Sequence, residues 1–197
     1  MVREAFPFSQ PSSKDHPAPS GTTVMQRFDL IAFNCRYSHS CLALFYVRQE
    51  LARNLPGAEV HLHQFTINDP YYATLLRLSE SGADVLFFAV YIWNARYVER
   101  LVRDLARIQP ARPLVLGGPQ AAVLEGLPLC CTVVQGEIEG VGGQFYQDLA
   151  AGSLRPMYQG EAGQPFPSPY LDDDFTGPLA NRQVYYESSR GCPFRCA

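Results

Sequence analysis

The sequence predicts an α/β fold built on a doubly wound, five-stranded parallel sheet. Short apolar runs rich in β-branched and aromatic residues alternate with amphipathic segments of helical period, which is the pattern of successive βαβ units. The run at residues 85–90 is apolar without interruption, as expected of a central strand that is covered on both faces. Hydrophobic residues make up 47% of the chain and charged residues 18%, which is the composition of a globular protein.

Five strands and three helices can be placed along the chain. The strands are predicted at residues 28–33, 60–63, 85–90, 114–116 and 132–134. Apolar residues at helical spacing indicate the helices, with Asn94 as the N-cap of the second: Leu44, Val47, Leu51 and Leu55; Val98, Leu101, Val102, Leu105 and Ile108; Val141, Phe145 and Leu149. A sheet of this flavodoxin-like kind binds its ligands outside the carboxyl ends of its strands.

Composition divides the chain into four parts. Residues 1–26 are rich in Pro, Ser and Thr and lack the apolar core of a secretory signal, so they are predicted to be a disordered leader. Residues 27–152 are predicted to form the folded domain. Residues 153–182, rich in Pro, Gly and Asp, are interpreted as a linker. Residues 183–197 are expected to begin a second domain, with a strand at 183–187.

The composition also excludes several classes of function. A formal net charge of −3 and scattered basic residues argue against a nucleic-acid surface, and no apolar run is long enough to cross a bilayer. Six cysteines in a chain without an export signal are expected to be reduced thiols or metal ligands, and the expected location is the cytoplasm.

The sequence lacks the motifs of three common functions of such sheets. After the first strand the sequence reads Asn34-Cys35-Arg36-Tyr37-Ser38, without the G-x-G-x-x-G turn of a dinucleotide site. The only lysine, Lys14, lies in the leader, which excludes a P-loop. A phosphate-accepting receiver domain requires an acidic residue after the third strand, where Ala89-Val90-Tyr91 stand.

The predicted strand ends instead carry small, aromatic and amide residues that suit a large, mostly neutral ligand. Glycine there lets a ligand approach the backbone closely, although Gly117-Gly118-Pro119 is equally typical of a simple strand-to-helix turn and Trp93 of a core or rim residue. The candidate cofactor-binding residues are Asn34, Tyr37, Ser38, Leu42, Tyr91, Trp93, Asn94, Gly117, Gly118, Pro119, Gly136 and Glu137.

These segments resemble the cobalamin-dependent radical S-adenosylmethionine proteins. The resemblance implies a Rossmann-like domain that holds cobalamin at the carboxyl edge of its sheet, followed by a partial barrel that binds a [4Fe-4S] cluster and S-adenosylmethionine. The segments that carry it are Asn34-Cys-Arg-Tyr-Ser-His-Ser-Cys-Leu-Ala, Phe65-Thr-Ile-Asn-Asp, Tyr91-Ile-Trp-Asn, Leu116-Gly-Gly-Pro, Val134-Gln-Gly-Glu and Glu187-Ser-Ser-Arg-Gly-Cys-Pro-Phe-Arg-Cys.

The resemblance further implies that Cys192 and Cys196 are metal ligands. They match the first two positions of the family's C-x3-C-x2-C motif, whose thiolates hold three irons of the cluster. The third position falls beyond Ala197, so we expect the chain to be an amino-terminal fragment that does not assemble the cluster by itself. The alternative for this pair is two unrelated loop cysteines or half of a zinc site. No catalytic residue and no substrate can be named.

The expected cobalamin site contains no cobalt-ligating histidine. Carriers that ligate cobalt use Asp-x-His-x-x-Gly after the first strand, and His39 lacks both flanking residues of that motif. His61 and His63 are predicted to be surface residues of an edge strand. The rival hypothesis is a non-catalytic flavodoxin-like module for flavin or a nucleotide, for which only Ser38 and Ser40 supply hydroxyl groups in the first loop.

Overall fold

A computed structural model describes residues 26–191, and this part of the chain forms one parallel sheet of six strands with helices on both faces. The strand order is β2-β1-β3-β4-β5-β6. The strands are β1 (Arg27–Asn34), β2 (Glu59–Thr66), β3 (Val85–Ala89), β4 (Leu114–Gly117), β5 (Cys131–Gln135) and β6 (Met157–Gln159). The helices are α1 (Leu42–Asn54), α2 (Tyr71–Ser79), α3 (Ala95–Ile108) and α4 (Gly143–Ala150). The predicted α/β fold with a parallel sheet is therefore confirmed.

The number of strands corrects the prediction of five. The additional strand β6 lies in the segment interpreted as a linker and continues the sheet beyond β5, with Val134 opposite Tyr158. Only the Tyr158 side chain of its three residues is buried, where its ring lies 5.1 Å from that of Phe145. A strand this short shows no alternating pattern in the sequence, and the prolines and glycines around it indicate loop.

Two apolar layers cover the sheet. Helices α2 and α3 pack on one face through side chains such as Leu78 and Leu101, while α1 and α4 pack on the other through Leu44 and Phe145. The connection from β4 to β5 contains only a short 3-10 turn at Ala121–Val123. Prolines and a glycine interrupt helical spacing in this connection. Each remaining crossover between the first five strands carries one helix.

A buried carboxylate interrupts the apolar layer at the amino end of the central strand β1. Asp29 is fully buried, with its Oδ2 atom 3.3 Å from Nε2 of His63 and its Oδ1 atom 3.6 Å from Nε of Arg27. Burial opposes ionisation, but the nearby polar and charged groups of His63, Ser81 and Arg27 together outweigh it, so the pKa of Asp29 lies below its usual value. His63 is thus a partner of a buried acid rather than a surface residue, while His61 contacts Glu59.

The chain after β6 packs along α1. The guanidinium group of Arg48 on α1 binds both carboxylate oxygens of Asp174, at 2.6 and 2.5 Å, and both side chains are largely buried. The ring of Phe45 lies 4.9 Å from that of Tyr170. Residues 183–187 do not form the predicted strand, because they lack a neighbouring strand among the described residues with which to pair. No helix within residues 26–191 is both long and apolar enough to span a bilayer.

Candidate functional site

A cavity of about 460 Å³ opens at the carboxyl ends of β3, β4 and β5. It lies between the sheet, the start of α1 and the loop that follows β5, and residues near the end of the described chain close its outer side. Six of the residues predicted to bind a cofactor line this cavity: Leu42, Tyr91, Gly117, Gly118, Gly136 and Glu137.

Small residues at the ends of the central strands create the empty space. Ala89 of β3, Gly117 of β4 and Val134 of β5 lie side by side in register, with Phe87 and Val115 one layer deeper. A Cβ atom added to Gly117 would meet only the carbonyl oxygen of Val134, at the ordinary contact distance of 3.9 Å. The space above Gly117 is therefore open to a ligand.

The backbone conformation at the neighbouring position, Gly118, requires a residue without a side chain. Its φ angle is +106°, and an added Cβ atom would lie 2.6 Å from the carbonyl oxygen of Val90. That carbonyl accepts a hydrogen bond from the backbone of Gln120, so the turn after β4 packs directly on the end of β3. The turn after β4 therefore requires glycine at position 118, and binding of a ligand beside it stays a prediction.

Neither of the two predicted amide ligands lines the cavity: Asn94 connects two strand ends, and Asn34 holds the loop after β1. Asn94 is 1% exposed; its Nδ2 atom donates to the carbonyl oxygens of Phe33 and Ala89, both at 3.1 Å, and its Oδ1 atom accepts from the backbone of Tyr91 at 2.8 Å. It occupies the N-cap position of α3 but makes no side-chain bond to that helix, which corrects the predicted capping role. Asn34 donates to the carbonyl of His39.

An aromatic pair forms part of the rim beside the cavity. The rings of Tyr91 and Trp93 stack with centroids 4.6 Å apart and an interplanar angle of 3°. The indole nitrogen of Trp93 donates to the carbonyl of Phe33 at 3.1 Å, and about half of the residue is exposed. Burial raises the pKa of Tyr91 far above its usual value, so its hydroxyl group stays protonated. Trp93 is therefore a rim residue.

The remaining predicted residues of the first loop and the turn after β4 lie away from the cavity. The side chain of Tyr37 is exposed, and the guanidinium group of Arg182 lies 4.6 Å from its ring centroid. The backbone carbonyl of Ser38 accepts a hydrogen bond from Gln183. Pro119 and Ser38 do not contribute to the lining.

Three carboxylates surround a single guanidinium group at the mouth of the cavity. Arg190 lies 3.3 Å from Glu137, 2.8 Å from Glu139 and 2.9 Å from Glu187, measured between its nitrogens and the nearest carboxylate oxygens. Its burial lowers its pKa, but the hydrogen bonds to Glu139 and Glu187 outweigh that effect and raise the pKa above the usual value. Its guanidinium group also lies between the rings of Tyr46 and Phe166, 4.6 and 4.4 Å from their centroids.

Sequence reasoning named Glu137 but missed the other polar residues of this mouth. Glu139 follows it by two positions in the same loop, so its presence could have been inferred from proximity. Arg190 lies 51 residues farther along the chain, and no local pattern connects the two segments. Tyr46 lies in α1 outside the apolar stripe predicted for that helix, and no sequence pattern assigns it a role.

The predicted cluster ligands Cys192 and Cys196 lie outside the described residues. Within residues 26–191, no group of three or more His, Cys, Asp and Glu side chains is arranged to hold a metal ion. The four cysteines described there, at positions 35, 41, 130 and 131, are free thiols. The cluster therefore stays a sequence-based prediction.

Comparison with known proteins supports the fold. No protein-family model matches the sequence, and no curated protein is significantly similar to it. Among solved structures, the chain is similar to the cobalamin-dependent S-adenosylmethionine radical enzyme OxsB, solved with aqua-cobalamin and S-adenosylmethionine bound, with a TM-score of 0.51 and 12% identity. The match covers 68% of this chain and 20% of OxsB, so this chain spans about a fifth of that protein. A protein described as a lipoprotein fragment from Peptoclostridium difficile 630 matches with a TM-score of 0.43 and 10% identity, over 64% of this chain and 90% of that one.

Proposed function

We propose that this chain is a cobalamin-binding domain of a radical S-adenosylmethionine enzyme. The observation that carries the proposal is the cavity at the carboxyl ends of the central strands, whose floor is made of small residues. Ligands of open α/β sheets bind at this edge. The fold shared with OxsB, which was solved with aqua-cobalamin, supports the same assignment.

The cavity suits part of cobalamin rather than the whole cofactor. Its volume of about 460 Å³ lies in the lower half of the range of small-molecule pockets. Apolar side chains such as Phe87, Val115 and Leu44 form its walls, which favours a planar apolar group such as the benzimidazole base of the nucleotide tail. The corrin ring, which is too large for this space, would stay outside at the sheet edge.

The charges at the mouth favour cobalamin over a flavin or a nucleotide. Glu137, Glu139 and Glu187 outnumber Arg190, so a dianionic phosphate would meet net repulsion there. The phosphodiester in the nucleotide tail of cobalamin carries a single negative charge, so it would meet less repulsion than a dianionic phosphate. The neutral amide side chains around the ring can also donate N–H groups to the carboxylates. The hydroxyl group of Ser40, which a flavin phosphate would require, already donates to the carbonyl of Gln183 at 2.6 Å.

Filling the cavity from Gly117 tests the proposal. A valine there should occupy the space that a ligand needs, while the free energy of unfolding should change by less than about 1 kcal/mol because valine is favoured in strands. We expect Gly117→Val to weaken aquocobalamin binding at least tenfold in a titration followed by absorbance, and Gly117→Ala to weaken it less. An unchanged affinity in a folded Gly117→Val protein would place the ligand elsewhere. Tighter binding of flavin mononucleotide than of aquocobalamin to the unaltered chain would favour the rival module.

The radical chemistry in this proposal depends on Cys192 and Cys196. They would supply two of the three thiolates of a [4Fe-4S] cluster, whose remaining iron would bind S-adenosylmethionine. Anaerobic reconstitution followed by iron and sulfide assays tests this assignment. The 197-residue chain should hold less than a full cubane, and a longer chain that includes a third cysteine should hold four irons. A full cubane on the shorter chain would show that the ligand count is wrong.

A further inference from the structure

Residues 182–191, which we call the strap, are anchored at one end to the loop between β1 and α1. Nη1 of Arg182 donates to the carbonyl oxygens of Tyr37 and His39, at 2.6 and 2.8 Å. The backbone N–H of Gln183 donates to the carbonyl oxygen of Ser38, also at 2.6 Å. This end of the strap is fixed by bonds that do not involve the cavity.

The other end of the strap forms the outer wall of the cavity. Glu187, Ser189, Arg190 and Gly191 all line it. Arg190 is the only one of these residues whose side chain makes charged contacts across the opening, to Glu137 and Glu139 in the loop after β5. The strap therefore crosses from one side of the sheet edge to the other, and Arg190 closes it.

Within residues 26–191, one hydrogen bond holds the middle of the strap to the rest of the chain, from the hydroxyl group of Tyr170 to the carbonyl oxygen of Tyr185 at 2.6 Å. Tyr186 is 84% exposed, and Val184 and Tyr185 are also exposed. Among the described residues, the only backbone-to-backbone hydrogen bond between residues 183–191 and the rest of the chain is that of Gln183. Lifting the cavity end of the strap would break the Arg190 ion pairs and uncover the rings of Tyr46 and Phe166, on which its guanidinium group lies.

We infer that the strap is a gate on the cavity and that Arg190 is its latch. When Arg190 is bound, the carboxylates of Glu137 and Glu139 are neutralised and the cavity is closed. When it leaves, the cavity opens and the same carboxylates can accept hydrogen bonds from amide groups of an entering ligand. The identity of that ligand as cobalamin rests on the function proposed above, but the gate itself concerns access to the cavity.

The test compares Arg190→Gln with the matched control Arg155→Gln in the full 197-residue chain. Arg155 also pairs with a carboxylate, Asp148 at 3.1 Å, but it lies outside the cavity lining. Relaxation dispersion of the backbone amides in residues 184–191, recorded by nuclear magnetic resonance without ligand, measures the conformational exchange caused by opening of the strap. Stopped-flow mixing with Nile red, an uncharged fluorescent dye, measures access to the apolar cavity, and mixing with aquocobalamin measures entry of the proposed ligand.

Arg190→Gln should speed strap exchange and the association of both ligands at least tenfold, and Arg155→Gln should leave all three unchanged. Unchanged exchange in Arg190→Gln would show that Arg190 is not a latch. Faster exchange without faster association of Nile red would show that the strap does not control access. If Nile red enters Arg190→Gln faster but neither this variant nor the unaltered chain binds aquocobalamin, the result supports the gate and refutes the cobalamin assignment. A variant that only dissociates ligand faster would make Arg190 a ligand contact and overturn the gate.

Discussion

Replacing Gly118 with alanine should destabilise the domain by about 3–5 kcal/mol. The φ angle of +106° is a conformation that costs a residue with a side chain about 1–3 kcal/mol. The new Cβ atom would also lie 2.6 Å from the carbonyl oxygen of Val90, which is backbone and cannot rotate away. Moving that peptide would weaken two hydrogen bonds, from Gln120 to Val90 and from Val90 to Gly117, each worth about 1 kcal/mol.

Urea unfolding followed by circular dichroism measures this loss, and Gly82→Ala provides the matched control. Gly82 also has a positive φ angle, +70°, but an added Cβ atom there has no neighbour within 4 Å. We therefore expect Gly82→Ala to cost only the conformational strain, about 1 kcal/mol. If Gly118→Ala is no more destabilising than Gly82→Ala, the contact with Val90 does not explain this glycine.

Three further predictions concern buried polar groups. Asn94→Leu should cost about 3 kcal/mol in unfolding free energy, because it removes three hydrogen bonds to backbone groups, at Phe33, Ala89 and Tyr91. Arg48→Met should cost about 3–5 kcal/mol by leaving the carboxylate of Asp174 buried and unpaired, and adding Asp174→Asn should recover part of the loss. Asp29 has a pKa below its usual 3.8, so its ionised form contributes stability that is present above that pH and lost as pH falls further. Asp29→Asn should therefore flatten the fall of unfolding free energy below pH 3.8, measured by urea unfolding at a series of pH values.

Each of these predictions has a clear contrary result. A cost below 1 kcal/mol for Asn94→Leu would mean that water replaces the lost amide bonds at the sheet edge. A double variant no more stable than Arg48→Met would show that the free carboxylate is not the source of the loss. An acid transition of Asp29→Asn that parallels that of the unaltered chain would assign the pH dependence to other carboxylates.

The sequence predicts the central sheet well because burial on both faces leaves a strong local signal. Strand β3 is apolar at every position, and its neighbours β1 and β4 carry shorter runs of the same kind. Strand β6 has no such signal, since three residues establish no period and its stability comes from pairing with β5. A continuous buried run thus separates the strands that could be predicted, such as residues 114–116, from β6, in which one buried side chain lies between two exposed ones.

The cavity could be predicted in part from topology. Carboxyl ends of adjacent parallel strands meet at one edge, so Gly117 and Gly136 fall together once the strand order is known. The role of Asn94 could not be inferred in the same way. Its amide group bonds to strand carbonyls instead of the end of α3, and only the three-dimensional distances show which of these partners is within reach. Arg190 joins the site only because the chain folds back over it.

The segment that returns toward the cavity also protects the outer edge of the sheet. Strand β2 is an edge strand, and an unpaired edge can recruit strands from other molecules and lead to aggregation. Here Arg182 donates to the backbone carbonyl of Gln64 in β2, and the side-chain amide of Gln64 donates to the carbonyl of Pro178. The returning segment therefore covers part of this edge with a charged side chain and a proline. A chain shortened before residue 178 would expose the edge and should form intermolecular β-structure at concentrations at which the 197-residue chain stays dispersed.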